Sequence, residues 1–421
     1  MSKSIIHSNK GVFFIENVPV KKIAEDYGTP AYVYSKKIID DTYINFKESF
    51  LKFDPLICFA VKANPNIAIL NLLAKHGAGF DIVSGGELKR VIAAKGDPKK
   101  VVFSGIGKSI EEIGLGVSHN ILAFNIESEG ELHRIQSVAK SLNKKAAISI
   151  RVNPNVDAKT HPYISTGLKD NKFGVDENQS IKLYQLAKDM DSIEIKGIDC
   201  HIGSQITEIN PFIDSTKKLI SLIDHLKTLN INIEHFDIGG GLGINYKDES
   251  PPSFLEYADA IYQIIGNRKL QVILEPGRSL IGKAGTLLTN IEYIKVGSSK
   301  NFAIVDAAMN DLMRPSLYDA YHEIINLNTH QFEQKEYDIV GPVCETGDFF
   351  GKNRLLSIED GDLLAVLDAG AYGMSMSSNY NSRPRAVELL VDNDKVHTIR
   401  ERETFDHLIS GESILSEFNH E

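Results

Sequence analysis

Cysteine is scarce in this chain, with Cys58, Cys200 and Cys344 the only three among 421 residues. An odd, widely spread set without Cys-x-x-Cys spacing excludes a disulfide framework and a zinc knuckle, and it points to a reducing compartment. Long hydrophobic runs are also missing: no segment approaches the roughly 20 apolar residues a membrane span needs. The stretch from Val12 to Ile15 is too short for the apolar core of a secretory signal and ends at Glu16, so a cytoplasmic protein is expected. Positive charge is in deficit, with 46 Lys and Arg against 56 Asp and Glu and a formal net charge of -10. That balance disfavours nucleic acid or an anionic membrane as the main partner, while leaving room for a local basic pocket around a small anion. Internal repeats and low-complexity tracts are absent.

What is present is ordinary globular material, 42% hydrophobic and 24% charged, which argues against long disorder or a fibrous chain. At 421 residues the chain exceeds what one hydrophobic core usually serves, so two domains are expected. Between residues 55 and 277, short β-rich runs alternate with stretches of helical periodicity. The runs are PLICFAVKA from Pro55, GFDIVS from Gly79, VVFSG from Val101, ILAFNI from Ile121, AAISIRVN from Ala146, IKGIDCHI from Ile195, HFDIGGG from His235 and LQVILEPG from Leu270. Eight such units predict an α/β chain with a (β/α)8, TIM-type barrel over residues 30–280. Ser109 with Glu112 and Ser128 with Glu131 have capping-box spacing, and Asn210-Pro211 reads as an N-cap and first helical residue. Phe212, Leu219, Ile220, Leu222, Ile223 and Leu226 then form one broad apolar stripe, a packing face. After Gly277 the rhythm changes to TLLTNIEYIKV, KNFAIVDA, DLLAVLDAGA and AVELLVDN, joined by turns. A second, mainly β domain (a β-barrel or sandwich) is therefore expected from residues 281–421, with the strand-like residues 1–29 joining it.

In barrels of this kind the reacting groups gather at the C-terminal ends of the strands. Lys62, Asp81, Arg151, His201, the glycines Gly239 to Gly241 and Glu275 all fall there. Singly, each has an ordinary reading: a solvated lysine, a hydrogen-bonded core histidine, a tight glycine turn. Aimed together at one mouth, they require a strongly charged guest. Rival motifs fail on inspection. A phosphate-binding loop ending at Gly107-Lys108-Ser109 would need its first glycine at Val102, and a dinucleotide fingerprint from Gly239 meets Ile244 where its third glycine belongs. His322-Glu323 has no second histidine at metal-ligand spacing, and no metal is expected.

Longer segments carry a family resemblance. FAVKANPN at Phe59, FDIVSGGEL at Phe80, HPYISTGLKDNKFG at His161, CHIGSQI at Cys200, DIGGGLG at Asp237 and LEPGRS at Leu274 lie in the barrel region. MNDLMRPSLYDAYHEI at Met309, GPVCETGD at Gly341 and DAGAYGMSMSSNYNSRPR at Asp368 follow it. Together they resemble the fold-type III pyridoxal-phosphate-dependent decarboxylases, over nearly the whole chain, and most of all the members acting on diaminopimelate. The one departure noted is Thr346, where a serine is frequent.

The resemblance implies pyridoxal 5'-phosphate as cofactor, linked covalently to Lys62, with Asp81 near that lysine. Glu275 would hold the pyridine nitrogen in its protonated form, where the similar alanine racemases use an arginine and obtain a weaker electron sink. His201 would stack on the ring, and Arg151 would lie near the phenolic oxygen. Ser204, Gly240 and the backbone from Glu275 through Gly277 to Arg278 would hold the phosphate. Arg278, Arg314, Tyr318, Glu345 and Tyr372 match substrate positions, Tyr372 also facing the cofactor. Two arginines and a glutamate suit a substrate with a second amino-acid end, so the implied reaction removes the D-centre carboxylate of meso-diaminopimelate to give L-lysine, the last step of lysine biosynthesis. Cys344 would protonate Cα from a partner subunit, which implies a homodimer with shared sites. The loop from Asn153 to Gly174 is expected to cover the site. Decarboxylation of ornithine, arginine or carboxynorspermidine, or a cofactor-binding regulatory protein without turnover, are the competing readings. Cys58 and Cys200 are expected to be buried thiols without a role.

Overall fold

The structure, a computed structural model, describes residues 4–158, 160–164, 166–167, 171–330 and 333–415. The chain divides into two compact units, Ile38–Gly282 and a composite of Met1–Lys37 with Lys283–Glu421. Positions 159, 165 and 168–170, inside the loop expected to cover the site, lie outside the described residues.

In the first unit eight parallel strands close into a barrel. They are Leu56–Ala60, Gly79–Ile82, Val101–Phe103, Ala123–Ile126, Ala146–Arg151, Ile193–Asp199, His235–Asp237 and Gln271–Leu274. Each occupies one of the eight runs read from the sequence, and the eighth pairs with the first through Ile273 with Leu56 and Leu274 with Ile57. Helices alternate with the strands because their start signals are strong. Ser109 and Glu112 form both arms of a capping box. Ser128 accepts from the Glu131 amide, but Glu131 spends its carboxylate on Lys108 (2.6 Å) and on the Glu127 amide (2.8 Å) instead of closing a box. Helix Asn210–Thr228 starts one residue earlier than its motif suggests: Ile209 is the N-cap, and no side chain caps it. Its expected apolar stripe is buried.

Alternation along the strands sorts the barrel interior into layers. Cys58, Val102 and Ile273 form a dry cluster with Leu56 and Leu122 against it. Toward the C-terminal ends the buried side chains become polar: Asp81, Ser104, Asn125, Arg151, Asp199, Asp237 and Glu275. Burying so many polar groups is costly unless they pair with one another or with a ligand.

The second unit carries a three-stranded antiparallel sheet, Ile6–Asn9, Val12–Ile15 and Val18–Pro19, and a nine-stranded mixed sheet. The central strand of the larger sheet, Gly285–Val296, pairs with Ala31–Ser35, Asn301–Val305 and Leu363–Val366. Ala31–Ser35 lies within the stretch that the sequence rhythm assigned to the barrel, but every residue of it is buried in this sheet, where it also pairs with Val387–Asp392. Among the described residues no helix is long and apolar enough to cross a membrane.

Candidate active site

Lys62 sits in a single helical turn, Val61–Ala63, directly after the first barrel strand. The Ala60 amide donates to the Pro276 carbonyl (3.1 Å), and Asn66 caps the next helix by accepting from the Ala68 amide (3.0 Å), so the turn is fastened on both sides. The Lys62 ammonium is hydrogen-bonded and ion-paired to Asp81 of the second strand. Asp81 is fully buried, and its other carboxylate oxygen has no hydrogen-bond partner among the described residues.

Glu275 follows the eighth strand and faces the same interior. It is 5% exposed, with Ser104 Oγ at 3.5 Å. One ligand atom each from Asp199, Asp237 and Glu275 lies within 4.8 Å of the others. Burial, reinforced by the Asp237, Asp81 and Asp199 charges and opposed by Lys62, raises the Glu275 pKa well above the usual carboxylate range. Burial likewise pushes Asp237 up to about 7, and burial with the Asp237 charge raises Asp199. Orphaned oxygens on Asp199 and Asp237 add to the demand for a cationic or proton-bearing guest.

This clustering predicts a pH dependence. The folded, cofactor-free protein retains protons that the unfolded chain releases near pH 4. Stability should therefore decline as pH rises from about 4 through about 7. Melting temperatures of cofactor-free protein between pH 5 and 8 should fall, and Asp237→Asn should flatten that fall. A slope unchanged in the variant would reject the assignment.

His201, just beyond the sixth strand, accepts the Gly240 amide at Nδ1 (3.2 Å). Desolvation, with the Arg151 and Lys62 charges, keeps its pKa well below the usual value. The ring is neutral and carries its hydrogen on Nε2. Arg151 reaches Glu127 (3.3 Å) and Asp199 (3.8 Å), donates to the His201 carbonyl (3.4 Å) and lies over the Phe173 ring. The glycine run after the seventh strand is required by close approach: a Cβ on Gly240 would lie 2.1 Å from the Glu275 carbonyl oxygen, and Gly239 and Gly241 have φ of +74° and +106°. Gly277 caps the short helix Arg278–Ile281. Arg278 donates to Ser204 Oγ (3.1 Å) and to the Tyr246 hydroxyl (2.8 Å), bringing two of the expected phosphate and substrate residues together.

In the second unit, the remaining candidates lie on the short helix Arg314–Tyr318 and on loops that are tied to it and to one another. Ser316 donates to the Gly347 carbonyl (2.6 Å), Asp348 accepts the Met309 and Val343 amides (both 2.7 Å), and Arg383 donates to Asn310 (2.9 Å). Cys344 and Glu345 are exposed, Cys344 receiving Asn381 Nδ2 at 3.4 Å and Glu345 the Tyr380 hydroxyl. Arg314 is buried and bonded to His322 (2.7 Å). Tyr318 is half-buried, and Tyr372 adopts a left-handed φ of 56°. Burial pushes the thiols of Cys58 and Cys200 up, which keeps them protonated and unreactive.

Sequence reasoning did not single out Asp199, Asp237, Tyr246, Tyr380 or Asn381, and it named His322 only in rejecting a metal motif. Asp237 carried a readable signal, an acid two residues before the glycine run. Asp199, Tyr246, Tyr380 and Asn381 had none, because their partners are distant in sequence.

An amine and a buried carboxyl facing one interior, unsatisfied acid oxygens and a glycine cradle beside Ser204 and Arg278 fit an aldehyde-bearing, phosphorylated cationic heterocycle. The chain belongs to the pyridoxal-dependent decarboxylases: residues 36–282 match that family's pyridoxal-binding domain, and the cofactor is pyridoxal phosphate. Within that class the chain is 52% identical, over 98% of its length and 99% of the relative's, to a diaminopimelate decarboxylase of Vibrio cholerae. It is also 52% identical to that of Haemophilus influenzae, covering 96% and 97%. A crystal structure of diaminopimelate decarboxylase from M. jannaschii in complex with L-lysine superposes with a TM-score of 0.94 at 43% identity, over 98% of both chains.

Proposed function

We propose that the chain is a lyase that decarboxylates meso-2,6-diaminopimelate at its D-centre to give L-lysine and carbon dioxide. The observation carrying this reading is the pairing of Lys62 with Asp81 across one barrel interior from the buried Glu275. The similarity to diaminopimelate decarboxylases over almost the full length supports the substrate.

Pyridoxal phosphate, when bound, supplies the electron sink for the pair left behind by the departing carboxylate. Lys62 would hold its aldehyde, Glu275 its ring nitrogen, and His201 its ring face. Ser204, Gly240, Gly277 and Arg278 would hold its phosphate, with Arg151 near the phenolic oxygen. Asp81 orients the Lys62 amine and holds or returns its proton at Nζ. Arg314 and Arg278 recognise carboxylate, Glu345 recognises the distal ammonium, and Tyr318 and Tyr372 complete the substrate wall. Cys344 of the partner subunit delivers a proton to Cα, so the working unit is a homodimer. Exposure of Cys344 and Glu345 in the single chain agrees with such sharing.

The test is a product assay on cofactor-loaded protein. Meso-diaminopimelate should yield stoichiometric carbon dioxide and L-lysine, while ornithine and arginine, which lack a distal carboxylate, should react at least about 100-fold less efficiently. Faster turnover of either diamine precursor would move the substrate assignment, and no turnover of any would favour a non-catalytic cofactor-binding protein.

A further inference from the structure

We infer that His322 is a positioning residue for the substrate's distal carboxylate, acting through the hydrogen bond by which it orients the Arg314 guanidinium. The inference rests on the reading of Arg314 as a carboxylate-binding residue. His322 is fully buried, and both of its ring nitrogens are engaged. Nε2 is 2.7 Å from Arg314 Nη1, and Nδ1 is 2.7 Å from the Leu367 carbonyl. A guanidinium only donates, so Nε2 accepts. The ring hydrogen then sits on Nδ1, where the Leu367 carbonyl receives it. One neutral tautomer satisfies both partners, and a flipped ring satisfies neither.

The ring is held from the backbone as well. Its own carbonyl accepts from Arg354 Nη2 (2.9 Å), Arg354 lies over the Tyr321 ring, and the Leu367 amide donates to the Glu323 carbonyl (2.8 Å). Arg314 opens the short helix Arg314–Tyr318 and carries a long, rotamer-rich side chain. A bidentate grip on carboxylate depends on the orientation of the guanidinium plane. A neutral partner sets that plane without cancelling the charge that the ligand needs. A carboxylate in place of His322 would orient Arg314 equally well but would compete with the ligand.

The experiment uses the cofactor-loaded protein and compares His322→Asn with His322→Gln. Asparagine is too short to reach Arg314, whereas glutamine places an amide oxygen near the position of Nε2. KM and kcat for meso-diaminopimelate are measured beside inhibition by L-lysine and by 1,5-diaminopentane, the same skeleton without its carboxylate. In His322→Asn, KM and the lysine inhibition constant should both rise about tenfold, reflecting the regained freedom of Arg314. Inhibition by 1,5-diaminopentane should stay within about twofold and kcat within about threefold, and glutamine should recover part of the loss. Equal weakening of both inhibitors, or a fall in kcat at constant KM, would show a merely structural role and overturn the inference. If His322→Asn does not fold, wild-type lysine affinity in His322→Gln supports the inference and selective loss of diaminopentane binding overturns it. A wild-type protein that neither binds lysine nor turns over diaminopimelate removes the substrate reading itself, a result distinct from the others, and the inference falls with it.

Discussion

Lys62→Ala should abolish covalent retention of the cofactor and reduce turnover by on the order of a thousand-fold or more. The side chain follows the first barrel strand, is held by a fully buried acid and faces the polar end of the barrel. Borohydride treatment of the wild type should fix the cofactor to the peptide containing residue 62, and treatment of the variant should fix none. The variant should keep the wild-type fold, because removing one partly exposed side chain leaves the core intact and relieves Asp81 only of its partner. Mixing it with Cys344→Ala offers a second reading of the same variant. If sites are shared, half of the dimers formed by exchange are mixed, each with one site intact, and about a quarter of the wild-type activity should return. Full activity in Lys62→Ala would reject the mechanism, and absence of recovery on mixing would reject the sharing.

Glu275→Gln should separate cofactor binding from chemistry. The side chain is 5% exposed, and its carboxyl is crowded by Asp199 and Asp237. Glutamine fills the same volume and can still hydrogen-bond to a ring nitrogen, but it cannot balance a positive charge there. Cofactor content and KM should change little, while kcat should fall by on the order of 100-fold to 1,000-fold. The same substitution removes a carboxyl whose own pKa is held well above the usual range by burial and by the Asp237, Asp81 and Asp199 charges. The decline in stability of the cofactor-free protein between pH 5 and 8 should then become shallower. Retention of full kcat, or loss of the cofactor, would show that Glu275 does not face the ring nitrogen.

How far the architecture was legible depends on how local its causes are. Eight β-rich runs separated by helices with caps such as Ser109 and Glu112 predict a barrel, because hydrophobic period and capping chemistry act within a few residues. Ala31–Ser35 shows the boundary of that logic. Its composition suits either unit, and only its pairing with Gly285–Val296 and Val387–Asp392 decides which sheet it joins. Glu131 shows it on a smaller scale, since a capping partner was diverted by Lys108, 23 residues away.

The candidate site divides in the same way. Lys62, Asp81, Arg151, His201, Gly240 and Glu275 announce themselves because each ends or lines a strand of a recognisable rhythm, and strand ends of a parallel barrel converge by construction. The sequence alone therefore determined the fold class and the cofactor chemistry, and it named the side chains proposed to serve that cofactor. Tertiary structure alone decided their electrostatic state and their support. Clustering of Asp199, Asp237 and Glu275 raises their pKa values, and the bond from His322 to Arg314 sets a guanidinium plane. Both effects arise from distances between side chains in a desolvated interior, remote in the chain for the three acids and eight residues apart for His322 and Arg314, and the hydrophobic period does not encode such distances.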